Sequence, residues 1–321
     1  MVFLLLSIFP MVDGGHYDWE HARFPSTEFL SIRPGERSLL WPESTIPLCY
    51  DSDETRDIFH DILWAAMRLW YAAGLPESFR LLEINRLSCI HNPWESVYVE
   101  HTRDLLASAI GVPIISMDGT SHYPELSKPT LQVFIDRKNM EWTIKAIAHE
   151  LGHTFGLLHE HQDQSYWDVH GTDRVFKFNC KNLRDFEEVT GGLTTEEIWG
   201  DDGICRDMHT AESYGFSAAE WLPEDGSKAY SSHGWWANSD MVDWESLMIY
   251  PSYGDSIDED KLPVLSRKYD GWTWDSNWSP SIGDVAALKT LYHSLFTNPL
   301  LPFWNDVRSP YFAVFRIYSS C

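Results

Sequence analysis

The sequence predicts an α+β fold. Three observations carry this reading. Helical spacing runs from Asp53 to Gly74 and is followed by short apolar segments; a second helix from about Met140 carries a histidine cluster; the chain after it is irregular until a last helix near residue 281. Short strands between two long helices, then an irregular stretch and one last helix, make up this α+β order.

Each element has its own sequence cause. The stretch "SLLWPESTIPLCY" (38–50) reads as an entry strand. In "DETRDIFHDILWAAMRLWYAAG" (53–74), Ile58, Ile62, Leu63, Ala66, Leu69, Trp70 and Ala73 fall on one helical face, and Gly74 stops the helix. Short strands follow at 79–84, 96–100 and 131–135. The second helix begins near Met140 or Glu141, with Ile144, Ile147, Ala148, Leu151 and Phe155 on its buried side. After His159 the chain turns rich in Gly, Asp and Trp. In "SIGDVAALKTLYHSLF" (281–296), Val285, Leu288, Leu291, Tyr292 and Leu295 return to helical spacing. No internal repeat or low-complexity tract interrupts this order.

Length and charge bound the function. The chain has 321 residues, enough for one large or two small domains, and its 44% hydrophobic and 14% aromatic content supplies a core. A formal charge of −24 repels phosphate backbones and anionic lipid, so neither nucleic acid nor a membrane surface is an expected partner. Residues 1–15, "MVFLLLSIFPMVDGG", carry an apolar run too short to span a bilayer and read as a signal peptide, which predicts a secreted protein. Residues 16–37 are polar, with Pro25 and Pro34, and read as a propeptide or leader. The main domain is expected at 38–296, with 297–321 as a C-terminal tail.

Five cysteines (Cys49, Cys89, Cys180, Cys205 and Cys321) are too sparse for a disulfide scaffold and lack zinc-thiolate spacing. An oxidising compartment allows two bridges and one leftover thiol. Cys180 and Cys205 lie in one loop-rich region and can pair locally; spacing alone does not fix the connectivity.

The chemistry is concentrated in "AIAHELGHTFGLLHEHQ" (146–162), which holds four of the chain's 14 histidines. The pattern is H-E-x-x-H-x-x-G-x-x-H. His149 and His153 are four residues apart, so a helix places them one turn apart on one face. Two imidazoles there can reach one ion at about 2.0–2.1 Å. Gly156 tolerates positive φ and can end the helix in a sharp turn. That turn brings His159 back as a third ligand. Glu150 is placed to face a water in the open fourth position without ligating the metal. The expected cofactor is one catalytic Zn²⁺. A bare H-E-x-x-H recurs by chance, but the five-position pattern is far rarer.

A second stretch, "DWESLMIYPSY" (243–253), is an ordinary apolar mixture when taken alone. Together with the long histidine pattern it resembles the signature of the metzincin zinc peptidases, in which a methionine turn follows the histidines. Glu160 directly after His159, and the S-x-M-x-Y form of Ser246, Met248 and Tyr250, resemble the astacin family, especially its microbial and fungal members. Fainter likeness extends over residues 38–296. "LLWPESTIPLCY" resembles the family's W-P-x-x-x-I-P opening, and "CIHNPWESVYVEH" its C-I-R-F segment. "LSRKYDGWTWDSNWSPSIGDVAALKTLY" resembles its ending, with an S-x-x-D before the last helix.

The resemblance implies a metalloprotease domain at 38–296 acting on peptide or protein substrates as a monomer. It implies a metzincin-like α+β fold: a twisted, mostly parallel or mixed five-stranded sheet with two long helices, over an irregular C-terminal half with one helix. It implies His149, His153 and His159 as zinc ligands and Glu150 as general base. Met248 becomes an apolar floor under the metal. Tyr250 becomes a fifth ligand that swings toward the substrate carbonyl, and Glu160 a link to the N-terminus freed by propeptide removal.

The chain also departs from the family. His161-Gln162-Asp163-Gln164 lacks the expected basic residue. The cysteine pair of the short loop between sheet and active helix is absent, and so is a cysteine directly after Tyr292; the resemblance then offers Cys321 as partner of Cys89. No F-x-G-D switch is legible, since Asp13 and Asp18 are poor substitutes. His159 and Met248 are 248 − 159 = 89 positions apart, which implies an insertion within about 163–240.

Sixteen tryptophans leave a different reading open. "HGWWANSD" (233–240) and "GWTWDSNWSP" (271–280) either pack an irregular lower half or present rings to a ligand. The latter would make the chain a catalytically inactive, zinc-containing module that binds carbohydrate or protein. Asn277-Trp278-Ser279 is a glycosylation sequon, followed by Pro280.

Overall fold

The computed structural model describes residues 40–91, 96–103, 107–108, 129–168, 173–223, 238–259 and 261–293. The expected signal peptide, leader and C-terminal tail lie outside these residues, as do Cys321 and most of the 233–240 tryptophan stretch.

The fold is mixed α and β. Its main sheet has the order β2-β1-β3-β5-β4. The strands are β1 (Thr45–Tyr50), β2 (Arg80–Glu83), β3 (Val97–His101), β4 (Ala107–Ser108) and β5 (Thr130–Val133). The first four in spatial order run parallel, and β4 pairs antiparallel with β5 at the edge. Every residue of β1 is buried, as a parallel strand inside a covered sheet requires. Parallel neighbours need crossovers. Helix α1 (Asp53–Ala72) carries the chain from β1 to β2, and α2 (Arg86–His91) lies between β2 and β3.

Helix α1 starts where Ser52 accepts a hydrogen bond from Thr55 N at 3.0 Å, an N-cap. It buries Phe59, Ile62, Leu63, Ala66, Met67 and Trp70. Helix α3 (Met140–Phe155) carries the histidine motif and packs on α1, where the Trp70 indole donates to Ala148 O at 2.9 Å. The two helices and the sheet close an upper core that also takes in Leu247 and Met248.

A second, separate core lies below. Tyr166, Trp167, Phe176, Trp221, Leu222, Ile249 and Trp274 are among its members. Strands β6 (Phe176–Phe178) and β7 (Leu265–Arg267) pair antiparallel within it. Three short helices stand here that periodicity does not predict: α4 (Phe186–Thr190), α5 (Thr195–Trp199) and α6 (Met208–Ser213). One or two turns are too short for a periodic signal; side-chain caps mark the starts of α5 and α6. Thr194 and Glu197 form a capping box on α5, and Asp207 caps α6. Helix α7 (Ile282–His293), expected in the lower half, packs elsewhere. Its buried Val285, Leu288 and Leu291 join the upper core, and Tyr292 donates to Phe155 O at 3.0 Å.

The disulfides are Cys180–Cys205, as local pairing allowed, and Cys49–Cys89. The suggested Cys89–Cys321 pairing is therefore wrong. The crossover that leads to β3 lays α2 against β1, and Cys49 and Cys89 come within a Cα separation of 6.4 Å.

Candidate metal centre

Three imidazoles meet at the seam between the two cores. Nε2 of His149 lies 3.1 Å from Nε2 of His153 and 3.2 Å from that of His159, and the last pair is also 3.2 Å apart. His153 and His159 are buried and His149 is half-buried. The local sequence produces this convergence. His149 and His153 sit one turn apart on α3, and Gly156 then takes φ 112°, a left-handed C-cap that any other L-residue would enter with strain. The chain reverses there and returns His159 to the same point.

The opposite edges of the rings decide the protonation. His149 Nδ1 lies 2.8 Å from Leu247 O, and His153 Nδ1 lies 2.7 Å from Leu157 O. A carbonyl only accepts, so both Nδ1 atoms carry the proton. His159 Nδ1 lies 2.7 Å from Gln162 Oε1. With the Nδ1 atoms protonated, the inward Nε2 atoms present lone pairs to one another, an arrangement that repels unless a cation stands between them. Burial reinforces neutrality. Desolvation holds His149 well below the usual imidazole range and lowers His153 to about 4. Neutral nitrogens, fixed tautomers and a common focus suit one zinc ion.

The methionine turn is built against this cluster. Asp284 holds it, accepting from Ser246 Oγ at 2.6 Å and from Leu247 N at 2.8 Å. Ser281 N donates to the same carboxylate at 2.9 Å, so the start of α7 and the turn share one anchor. Asn277 Nδ2 adds bonds to Trp244 O and Ser246 O, which commits the amide of the sequon to bracing this loop. Met248 is buried, and a Cβ on Gly152 would come within 2.6 Å of its sulfur. Gly152 therefore allows the thioether to lie against α3 directly ahead of His153.

The other expected residues are also placed. Glu150 is 3% exposed. The Tyr250 ring lies 4.2 Å from the His159 ring and 6.1 Å from the His149 ring. Its hydroxyl donates to Glu220 Oε2 at 3.3 Å, and desolvation, with Glu220 second, raises its pKa well above the phenol value. Glu160 Oε1 accepts from Tyr166 Oη at 3.0 Å and from Asp243 N at 2.9 Å. Desolvation pushes its carboxyl up to about 8, against those two bonds.

No protein-family model and no curated protein sequence matches this chain. Among solved structures it is similar to high choriolytic enzyme 1, a hatching-enzyme zinc-protease from Oryzias latipes (medaka fish), at 15% identity and a TM-score of 0.48, over 82% of this chain and 98% of that one. Myroilysin is similar at 14% identity and a TM-score of 0.39, over 80% of this chain and 96% of that one. At such values the likeness carries no functional weight.

Several neighbours of the triad have no signal in the sequence. His161 stacks on His159 with ring centroids 5.3 Å apart and donates from Nε2 to Glu220 O at 2.9 Å. Glu220, Trp221, Gln162 and Gly152 are the others. The fixed positions of the histidine pattern and of the S-x-M-x-Y stretch advertise themselves; Glu220 approaches from a loop 59 positions from His161.

Proposed function

We propose that the chain is a secreted zinc-dependent endopeptidase. One observation carries the reading: three Nε2 lone pairs point at a common centre, and a buried glutamate follows the first ligand in sequence. His149, His153 and His159 are the proposed zinc ligands. When bound, zinc supplies a Lewis acid and lowers the pKa of water from 15.7 toward about 7. Glu150 takes a proton from the attacking water and delivers it to the leaving amine as the C–N bond breaks. Tyr250 leaves its bond to Glu220 and donates to the developing oxyanion, a contribution of about 2.7–4 kcal/mol for such a donor. Met248 keeps the floor of the site apolar. Glu160 is proposed to receive the N-terminus freed by processing. The two disulfides support an oxidising, extracellular setting.

The test is casein or gelatin cleavage by the purified chain, with and without a chelator, and by Glu150→Gln. The reading expects activity only in the untreated native chain. Equal cleavage in all three samples refutes it.

One observation favours a second reading, the aromatic binding module. Trp274 packs into the lower core, but Trp272 and Trp278 are 41% and 53% exposed. Binding on a glycan array together with no cleavage of any peptide library would support it. The buried Glu150, next in sequence to His149, weighs for the peptidase.

A further inference from the structure

The segment after the third histidine grips a loop from the region read as an insertion. Gln162 is 2% exposed, and its amide nitrogen lies 3.1 Å from Ala219 O and 3.0 Å from Leu222 O. His161 Nε2 donates to Glu220 O between them. Adjacent side chains thus hold three carbonyls of the 3₁₀ turn Ser217–Glu220 and the residues just beyond it.

This arrangement fixes which way the amide of Gln162 faces. Two carbonyl oxygens can only accept, so the edge of the amide facing them must be the NH₂ group. The oxygen of Gln162 then has to face His159, whose Nδ1 must carry the proton, leaving Nε2 as the basic nitrogen. His149 and His153 are set directly by backbone carbonyls. His159 is set through a side chain, and that side chain is set by a loop 57 and 60 positions away.

We propose that Gln162 is a positioning residue of the metal centre, a relay through which the Ala219–Leu222 loop fixes the tautomer and direction of His159. The relay rests on the zinc reading above. It gives the insertion a definite role, since the loop is part of what makes the third ligand a ligand. Outer partners of metal-bound histidines are commonly worth about 10–100-fold in metal affinity.

The experiment compares zinc affinity, by competition with a chromophoric chelator, and the visible spectrum of the cobalt-substituted protein, in the native chain, Gln162→Met and Gln162→Glu. Methionine keeps the length of the side chain and removes the acceptor. Glutamate keeps an oxygen toward His159 but sets an acceptor against the two loop carbonyls, so it breaks the loop end of the relay. Gln162→Met and Gln162→Glu are both expected to bind zinc about 10–100-fold more weakly, each with a displaced cobalt spectrum. A purely structural role would lower the urea midpoint and leave both metal readouts unchanged. Native affinity and spectrum in Gln162→Met, or in Gln162→Glu, overturn the relay alone. If Gln162→Met does not fold, the Gln162→Glu affinity decides: loss upholds the relay and retention overturns it. A native chain that takes up no zinc overturns the metal reading, and the relay with it.

Discussion

Among the individual residues, the histidines and Glu150 divide the labour between binding and proton transfer. Glu150→Gln is expected to lower peptide cleavage about 10²–10⁴-fold, the usual worth of a positioned acid–base group. Zinc content by plasma emission should stay at the native level, because the carboxylate is no ligand. Burial also makes the cluster a source of acid sensitivity. His153 and His161 are both lowered to about 4 by desolvation, whereas unfolded imidazoles titrate near 6.5. The unfolded chain therefore binds more protons between these values. Stability is fully present above about pH 6.5 and is lost as pH falls toward 4, on the order of 3 kcal/mol for each group. Urea midpoints of the metal-free chain at pH 7, 5.5 and 4 check this; a midpoint that rises on acidification contradicts it. The ligands are legible in the sequence because i, i+4 spacing and a glycine turn are local facts. Gln162, Glu220 and the Cys49–Cys89 bridge are not, since each meets its partner only after the chain has folded across dozens of residues.

Among the elements, α3 does three things at once: it packs on α1, presents two histidines and accommodates the methionine turn. Gly152 is where these demands collide. A methyl group there meets the Met248 sulfur at 2.6 Å and the Trp70 ring at 3.1 Å. Gly152→Ala should destabilise the fold by about 1–3 kcal/mol, the range for overpacking a filled core, despite alanine's better helix propensity. Urea denaturation reads this directly, and a stabilised variant would show that the turn relaxes freely. The long helices are legible from their apolar faces. The short α4, α5 and α6 are not, because five or six residues hold too little periodicity; α5 and α6 start at local caps made by Thr194, Glu197 and Asp207. The packing of α7 escapes the sequence for a related reason: its apolar face is visible there, but the core that receives it is not.

Across the whole molecule, the triad stands where two hydrophobic cores meet. Helix α3 and Met248 belong to the upper core, while Ile249 and Tyr250 belong to or pack on the lower one. A ligand that binds this seam ties both halves together. Zinc at about 100-fold over its Kd is expected to stabilise the folded chain by about 2.7 kcal/mol, and at 1,000-fold by about 4.1 kcal/mol. A thermal midpoint indifferent to zinc and chelator would contradict a seam-bound ion. The tryptophans also sort at this level. Trp167, Trp221 and Trp274 fill the lower core, whereas Trp272 and Trp278 reach solvent, a division that composition alone could not give.

The most direct measurement is anomalous scattering at the zinc edge from crystals of the zinc-loaded chain. One strong peak is expected about 2.0–2.1 Å from Nε2 of each of His149, His153 and His159. No peak at that point, or a zinc ion bound only elsewhere, would contradict the convergence of these three ligands on one metal.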